Sequence, residues 1–395
     1  MTLYLTALGI ANPLGRGKRA VAESLFAGSR AGLVEQADRI PGRSVRVGAF
    51  PGALPAVPDR LAHFDCRNNR LALAALDEIE PCIDAAIRRY GADRIAVVMG
   101  TSTAGMAEGE AAVRARRADG AWPAQFEYSQ QELGNLAAFI AGHLRLSGPA
   151  YTIATACSSS GKVFASAERL IDAGLCDVAL VGGVDTLCDL TLNGFNSLEA
   201  VAADYCNPFS RNRDGINIGE GAALFLMSRE PARVALLGVG ESSDAHHVSA
   251  PDPSGKGAVR AMRLALDAAR LPPEGIDYVN LHGTATPLND AMEGAAVASL
   301  FGSDTPCSST KAMTGHMLGA AGAGEAAFLW LALDPDYSDG AVPPHLWDGV
   351  ADPAIPPLAL VPARTRLAVE PRRAMLSNSF AFGGSNVAVV LGRGW

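Results

Sequence analysis

An α/β fold made of two copies of one unit is what this sequence predicts, and three observations predict it. Short β-branched runs alternate with Ala- and Leu-rich segments, the pattern of parallel strands covered by helices on both faces. One supersecondary pattern also occurs twice, about half a chain apart. Arg70-Leu71-Ala72-Leu73 opens a helix, and a strand then runs into Gly100-Thr101-Ser102-Thr103; Arg263-Leu264-Ala265-Leu266 opens another, and a strand runs into Gly283-Thr284-Ala285-Thr286. Finally, 395 residues with 49% hydrophobic and 19% charged side chains exceed an ordinary single domain and supply a large core. The halves divide as 1–230 and 231–395. In this alignment Met99 stands where His282 stands, so the two copies have divided their roles.

The elements follow in chain order. Leu3–Ile10 is an apolar run with no basic stretch before it, so it reads as a first strand rather than a signal peptide. Arg94–Met99, Tyr151–Ala156, Val178–Val184, Val234–Gly240, Tyr278–Leu281 and Val387–Leu391 are the further clear strands. After Ser158–Gly161 a helix begins, with Val163, Phe164, Ala167, Leu170 and Ile171 at helical spacing and Gly174 as its C-terminal cap. Glu325–Leu333 is apolar all round and predicts a helix buried on every side. Pro251–Gly257 and Pro343–Pro357 are punctuated by Pro and Gly and predict long surface loops.

Composition excludes several function classes. Lys and Arg number 33 against 41 Asp and Glu, and a net charge of -8 argues against binding nucleic acid through the overall field. The apolar stretches, such as Ala326–Leu333, fall short of the roughly 18 residues that span a bilayer, so no membrane span is expected. The seven cysteines (Cys66, Cys82, Cys157, Cys176, Cys188, Cys206 and Cys307) are odd in number and irregular in spacing, with no C-x-x-C. That predicts neither disulfides nor a zinc site, and a reducing, cytoplasmic setting.

One cysteine differs in its position. Cys157 directly follows a strand and precedes a helix, where unpaired N–H groups and the positive end of the helix dipole favour thiolate. Read alone, it is either a nucleophile or a small buried hydrophobe like the other six. His282 ends a strand, where α/β proteins place their sites. His316 closes Lys311-Ala312-Met313-Thr314-Gly315-His316, ahead of the Gly-rich Gly319–Gly324. Each histidine, taken singly, is either structural or catalytic. The Gly-rich run lacks the preceding strand and the following Lys-Ser/Thr of a phosphate loop, so it predicts close helix packing rather than nucleotide binding. His246 and His247 are adjacent and would face opposite sides of a strand, which predicts no metal there. Asn378–Asn386 is either a simple hairpin or a glycine turn whose N–H groups approach a ligand.

Together these segments resemble the β-ketoacyl-[acyl-carrier-protein] synthases. Thr155–Ser159, His282–Pro287, Lys311–His316 and Asn378–Asn386 occur in that family's order and spacing, with Asn207–Gly215 and Gly219-Glu220-Gly221 as its mid-chain signature. The resemblance covers essentially the whole chain. It is to the elongating type I/II enzymes rather than to the priming type with a Cys-His-Asn triad. The Asp214–Ala223 stretch, the short length and the Ala381 loop look like synthases of aryl polyene pathways. The implied architecture is the thiolase fold, a duplicated βαβαβαββ unit in five α-β-α-β-α layers. Three positions depart from the family. Ala381 stands where Gly is usual, Ser385 where Thr is frequent, and Thr103 where relatives put a larger apolar residue that helps set chain length.

What the resemblance implies is an acyltransferase of fatty-acid or aryl polyene/polyketide biosynthesis. It would need no metal and no cofactor beyond the phosphopantetheine of an acyl carrier protein. Cys157 would hold the acyl group, and the N–H groups of Cys157 and Phe382 would form an oxyanion hole. Phe382 and Phe380 would gate the acyl channel. His282 and His316 would assist malonyl decarboxylation, Thr284 and Thr286 would orient the substrate, and Thr103 would border the acyl pocket. Lys311 would pair with Glu293. Arg67 and Arg70, with Arg114, Arg116 and Arg117 as a second cluster, would dock the acidic carrier. Val178–Val184 would pair edge to edge with a second copy or a homologous chain-length factor. Two alternatives remain. A non-catalytic chain-length factor would lack the cysteine, and a thiolase would carry a second cysteine in the Asn378–Asn386 loop, which has none.

Overall fold

Ten strands carry the architecture, and they fall into two sets of five. The first set is β1 (Leu3–Asn12), β2 (Ile95–Gly100), β3 (Ala150–Ile153), β4 (Val178–Asp185) and β5 (Gly221–Ser228). The second is β6 (Val234–Ser243), β7 (Tyr278–Asn280), β8 (Pro306–Ser308), β9 (Arg373–Ala381) and β10 (Ser385–Arg393). The spatial order is β3-β2-β4-β5-β1 in the first set and β8-β7-β9-β10-β6 in the second. Both read third, second, fourth, fifth, first, with the same parallel and antiparallel pairings. The duplication expected from the repeated corner is therefore present in the topology. Where the sets meet, β1 pairs with β6 at Leu3↔Leu236 and Tyr4↔Ala235. The computed structural model describes residues 2–368 and 370–395.

Strand alternation builds the layers. Ala96 and Val98 of β2 face one core, which also holds the helices Ser159–Asp172 and Ala321–Leu333. Ile95, Val97 and Met99 face the opposite way, onto helices Arg67–Leu76 and Asn135–Leu144. Across the molecule, Val279 of β7 and Ala388 and Val390 of β10 pack on helices Lys256–Ala269 and Pro287–Phe301. The two halves of this continuous sheet thus enclose two central helices and are themselves covered outside, which makes five layers. The central helix Ala321–Leu333 is buried along its whole length, as its unbroken apolar sequence requires. It crosses Ser159–Asp172 at Gly322, where a Cβ would stand 2.6 Å from the Gly161 nitrogen.

Three expectations change. Val178–Asp185 is no edge: every residue is buried and it pairs with β2 on one side and β5 on the other. The edge of that set is β3, the strand before Cys157, with Ala150 and Tyr151 exposed. Second, β5 and β9 carried no strand signal. Gly221–Ser228 is rich in helix formers and Arg373–Ala381 in polar residues, yet both lie in mid-sheet with partners on each side. Ladder hydrogen bonds and burial there outweigh local propensity. Third, the Pro343–Pro357 segment is not all surface. Pro343, Pro344 and His345 are buried, and His345 accepts the Ser309 N–H at 3.1 Å through Nδ1.

Candidate active site

Cys157 sits where the sequence placed it. Ala156 has a left-handed backbone (φ 51°) that turns the chain sharply out of the strand, and the helix begins at Ser159. The Ser159 hydroxyl ties this turn, accepting the Thr155 N–H at 2.9 Å and donating to the Ala156 carbonyl at 2.6 Å. Cys157 Sγ lies 2.9 Å from His316 Nε2. The His282 and His316 rings meet edge to face, with centroids 5.3 Å apart. A cysteine and two histidines from three distant segments converge, all of them buried.

The electrostatics are those of a closed site. Burial pushes the Cys157 thiol up to about 12, against the smaller downward pull of Lys311 and of the Cys157 and Phe382 N–H groups, which face the sulfur. The helix N-terminus predicted a thiolate; the desolvation of an almost fully buried sulfur reverses that expectation for the resting site. Burial likewise holds both imidazoles well below their usual value, with Lys311 adding to the effect. Neutral His316 beside a neutral thiol is therefore the resting pair, and its Nε2 is within reach of the thiol proton. The three donor atoms lie within 4.8 Å of one another, a Cys-His-His set of the kind zinc takes. Ligands around a tetrahedral zinc stand about 3.5 Å apart, however, so a 2.9 Å contact reads as a hydrogen bond instead.

The surrounding residues divide into supports and lining. Glu293 does not pair with Lys311. Its carboxylate accepts the His282 and Gly283 N–H groups, both at 2.7 Å, and so holds the His282 corner. Burial raises the Glu293 carboxyl to about 7. The partner of Lys311 is Glu325, on the central helix. Sequence reasoning missed Glu325, although a lone acid in an apolar helix requires a buried partner. Thr284 and Thr286 line the cavity with their hydroxyls 3.0 Å apart. Phe382 is 37% exposed at the mouth and packs on Phe195 at 5.3 Å, which suits a gate. Phe380 is buried against His282, so it is a wall of the cavity and no gate.

Other expected residues lie elsewhere. Thr103 does not line the cavity; its hydroxyl donates to Asp185 at 2.8 Å. Arg67 pairs through Nε and Nη2 with the fully buried Glu220, and Arg70 with Asp65. Arg114 pairs with Asp189. Each of these three arginines thus has a carboxylate partner in the chain itself. Arg67 and Arg70 border a cleft of about 890 Å³, larger than the cavity of about 350 Å³ at Cys157. Of the two, the smaller one contains the sulfur and both histidines.

Comparison with known proteins agrees with this geometry. The model of the β-ketoacyl synthase N-terminal domain matches residues 4–232, and that of the C-terminal domain matches 234–346. The chain belongs to the β-ketoacyl synthase family. Its architecture is the thiolase fold. A curated relative, 3-oxoacyl-[acyl-carrier-protein] synthase 2 of Rhizobium meliloti, is 38% identical over 63% of this chain and 62% of its own length. The match thus spans less than two thirds of the curated relatives, 62%, 56% and 61% of the first three. A solved ketosynthase (ApeO) in complex with its chain length factor (ApeC) from Xenorhabdus doucetiae is 45% identical. It covers 99% of this chain and 98% of that one, with a TM-score of 0.94. The ishigamide ketosynthase/chain length factor is 29% identical over 99% of both chains, with a TM-score of 0.88.

Within this chain, the mid-chain signature has a structural use. Glu220 accepts Arg67 and the Phe50 N–H, and the Gly219 N–H donates to the His316 carbonyl at 2.8 Å. The His316 N–H in turn donates to the Asn217 carbonyl at 2.6 Å. That segment therefore sets the height of His316 over the sulfur.

Proposed function

We propose that this chain is a 3-oxoacyl-[acyl-carrier-protein] synthase that condenses malonyl and acyl thioesters with loss of carbon dioxide. The observation that carries the reading is the 2.9 Å Cys157–His316 contact, with the Cys157 and Phe382 N–H groups turned to the same sulfur. The Cys157 sulfur attacks the carrier's thioester carbonyl, and the oxyanion faces the two N–H groups. The carrier thiol leaves with the proton that Cys157 gave up through His316, and an acyl-enzyme remains. A malonyl thioester then enters. Its carboxylate carbon leaves as carbon dioxide, and the electron pair of the broken bond passes to an enolate. His282 and His316, both held neutral, donate to the enolate oxygen. The nucleophilic carbon attacks the Cys157 thioester, the C–S bond breaks, a β-ketoacyl product two carbons longer departs, and the Cys157 thiolate regains its proton from solvent. The electron count closes without an oxidant, a reductant or a metal. Thr284 and Thr286 orient the incoming thioester.

The substrates in this reading are carried by an acyl carrier protein, and the chain works as a dimer with itself or with a homologous chain-length factor. The exposed edge strand Ala150–Ile153 is the surface for sheet continuation across two subunits. The aryl polyene assignment is preferred to fatty-acid elongation. Its support is the Asp214–Ala223 stretch and the full-length likeness to the ApeO ketosynthase complex. Cys157 speaks against a non-catalytic subunit. Mass spectrometry of Cys157 after incubation with saturated and polyene acyl carriers tests both levels. A polyenoyl adduct is expected; a saturated adduct alone removes the pathway reading, and no adduct with any carrier removes the synthase reading.

A further inference from the structure

Asp185 is a fully buried carboxylate at the C-terminal end of β4, and six donors converge on it. They are the hydroxyls of Thr101 (2.6 Å), Ser102 (2.6 Å) and Thr103 (2.8 Å), the N–H groups of Ser102 and Thr103 (2.8 Å each), and the Gly319 N–H (2.5 Å). Among the described residues no Lys or Arg pairs with it. A carboxylate held by neutral donors alone sits in an anion hole, here filled by the chain itself.

The duplication identifies that hole. Cys157 stands two residues before the central helix Ser159–Asp172, and Gly319 two residues before the central helix Ala321–Leu333. The residue ahead of each is left-handed: Ala156 at φ 51° and Leu318 at φ 48°. On the sheet, Gly100 pairs with Gly183, and Asp185 lies two residues further. In the other half Asn280 pairs with Ser377, which brings Gly283 level with Phe380 and places Phe382 two residues further. Gly319 and Asp185 are therefore the counterparts of Cys157 and Phe382, whose N–H groups face the reacting sulfur. The two Gly-Thr-x-Thr corners also match. Thr284 and Thr286 bond to each other beside the cavity, whereas Thr101 and Thr103 both donate to Asp185.

We infer that the Asp185 carboxylate permanently occupies the duplicate of the oxyanion site and, through Gly319, acts as a positioning residue for His316. His316 and Met317 run directly into the short 3-10 turn Leu318–Ala320, closed by the Ala320 N–H on the Met317 carbonyl at 3.0 Å. This segment is held at one end by Asn217 and Gly219 and at the other by Asp185. A Cβ at Gly319 would lie 2.7 Å from the Asp185 carboxylate and 2.8 Å from the Ser102 nitrogen, so the approach requires glycine. The left-handed Leu318 is a conformation that persists only where both ends are fixed. Removing the carboxylate leaves the Gly319 N–H only the Ser102 hydroxyl at 3.1 Å, itself deprived of its own partner, and so loosens one end of the segment that carries the imidazole, while the Cys157 turn keeps its own ties.

The role assigned to His316 rests on the condensing reading, and a chemical rescue separates the two. Asp185→Ala leaves a carboxylate-sized hole lined by six donors. The expected result is malonyl decarboxylation and acyl-Cys157 formation both about 10-fold to 100-fold slower than in the wild-type chain, because His316 serves both, and recovery of both in formate but not in formamide. Formate should also raise the melting temperature of Asp185→Ala and leave that of the wild type unchanged, a readout independent of catalysis. Asp185→Asn, which presents an NH2 group to the same donors, should lose decarboxylation and gain nothing from formate. If Asp185→Ala does not fold alone, refolding yield in formate against formamide reads the same hole. Absence of any formate effect on melting, refolding and activity overturns the inference. So does a parallel loss of both half-reactions that formate does not restore. A wild-type chain that fails to decarboxylate malonyl thioesters removes the condensing reading and the role given to His316. The formate-dependent melting still decides whether the hole exists.

Discussion

Cys157 Sγ and His316 Nε2 are 2.9 Å apart, and His282 makes no hydrogen bond to that sulfur among the described residues. The two histidines are thus not equivalent. His316 touches both the thiol and the space for the malonyl group, while His282 is held back on the Glu293-bound corner. His282→Ala should leave acyl-Cys157 formation within about 3-fold and slow malonyl decarboxylation by about 100-fold or more; His316→Ala should slow both. Carrier-thiol release and carbon dioxide release, measured separately, decide it. Equal profiles for the two variants would remove the distinction.

Cys157 should resist simple alkylation. Burial raises its thiol to about 12 and leaves little of the sulfur accessible, whereas Cys82 is exposed on helix Glu80–Tyr90. At neutral pH iodoacetamide should label Cys82 first, and a pantetheine-linked haloacetyl reagent should label Cys157. Peptide mapping reads both. Cys157→Ala should abolish condensation, and retained elongation in that variant would refute its role as nucleophile.

Arg67 and Arg70 should behave differently. Arg67 is the cation for a fully buried Glu220, so Arg67→Ala leaves that carboxylate unpaired and costs roughly 3 kcal/mol. Arg70 and Asp65 form a partly exposed pair, and Arg70→Ala should cost under about 1 kcal/mol. Urea unfolding measures each. If Arg67→Ala is as stable as Arg70→Ala, the Arg67–Glu220 pair supports nothing.

Lys311 and Glu325 are buried partners beside the site. Lys311→Met alone should destabilise by about 3–5 kcal/mol, and Lys311→Met with Glu325→Leu should recover most of it. Lys311 also pulls the Cys157 thiol down, so its loss should move Cys157 modification to higher pH. A double-mutant cycle and a pH profile of labelling check the two effects. Full additivity would mean that the pair is not coupled.

His345 should give acid sensitivity. Its neutral ring accepts the Ser309 N–H and lies 3.0 Å from the Pro208 carbonyl, and burial lowers it to about 4. A histidine lowered on folding stabilises fully above its unfolded value near 6.5 and loses that contribution as pH falls towards about 4. The contribution is on the order of 3 kcal/mol. Glu293 and Glu325, both raised to about 7, act in the opposite sense and lose stability as pH rises through that value. The stability of His345→Gln relative to the wild type should therefore improve as pH falls from about 6.5 to 4, the difference between the two curves changing by up to about 1.4 kcal/mol per pH unit. Identical slopes would show that His345 does not titrate on unfolding.

Much of the site was legible because the chemistry sits at element junctions. Strand-to-helix turns and strand ends leave marks in sequence: small residues around Cys157, Gly283 after His282, Gly315 before His316. Burial and pairing left weaker marks. Nothing local to Lys311 distinguishes Glu293 from Glu325, since both acids lie on helices that follow it or precede it in chain order. Likewise β5 and β9 read as ordinary helix-forming or polar segments, because their strand state depends on neighbours that come from remote parts of the chain.

From the sequence alone came the duplicated α/β architecture, the turn that carries Cys157, and the two histidines as candidates beside it. Periodicity and turn chemistry act over a few residues, and the repeated corner records the duplication directly. Tertiary structure decided the protonation of the Cys157 thiol, the partner of Lys311, the neutralisation of Arg67, and the filling of the second half-site by Asp185. Each of these is a matter of desolvation and of which charges meet. Those depend on the distance between segments that only the closed five-layer packing brings together.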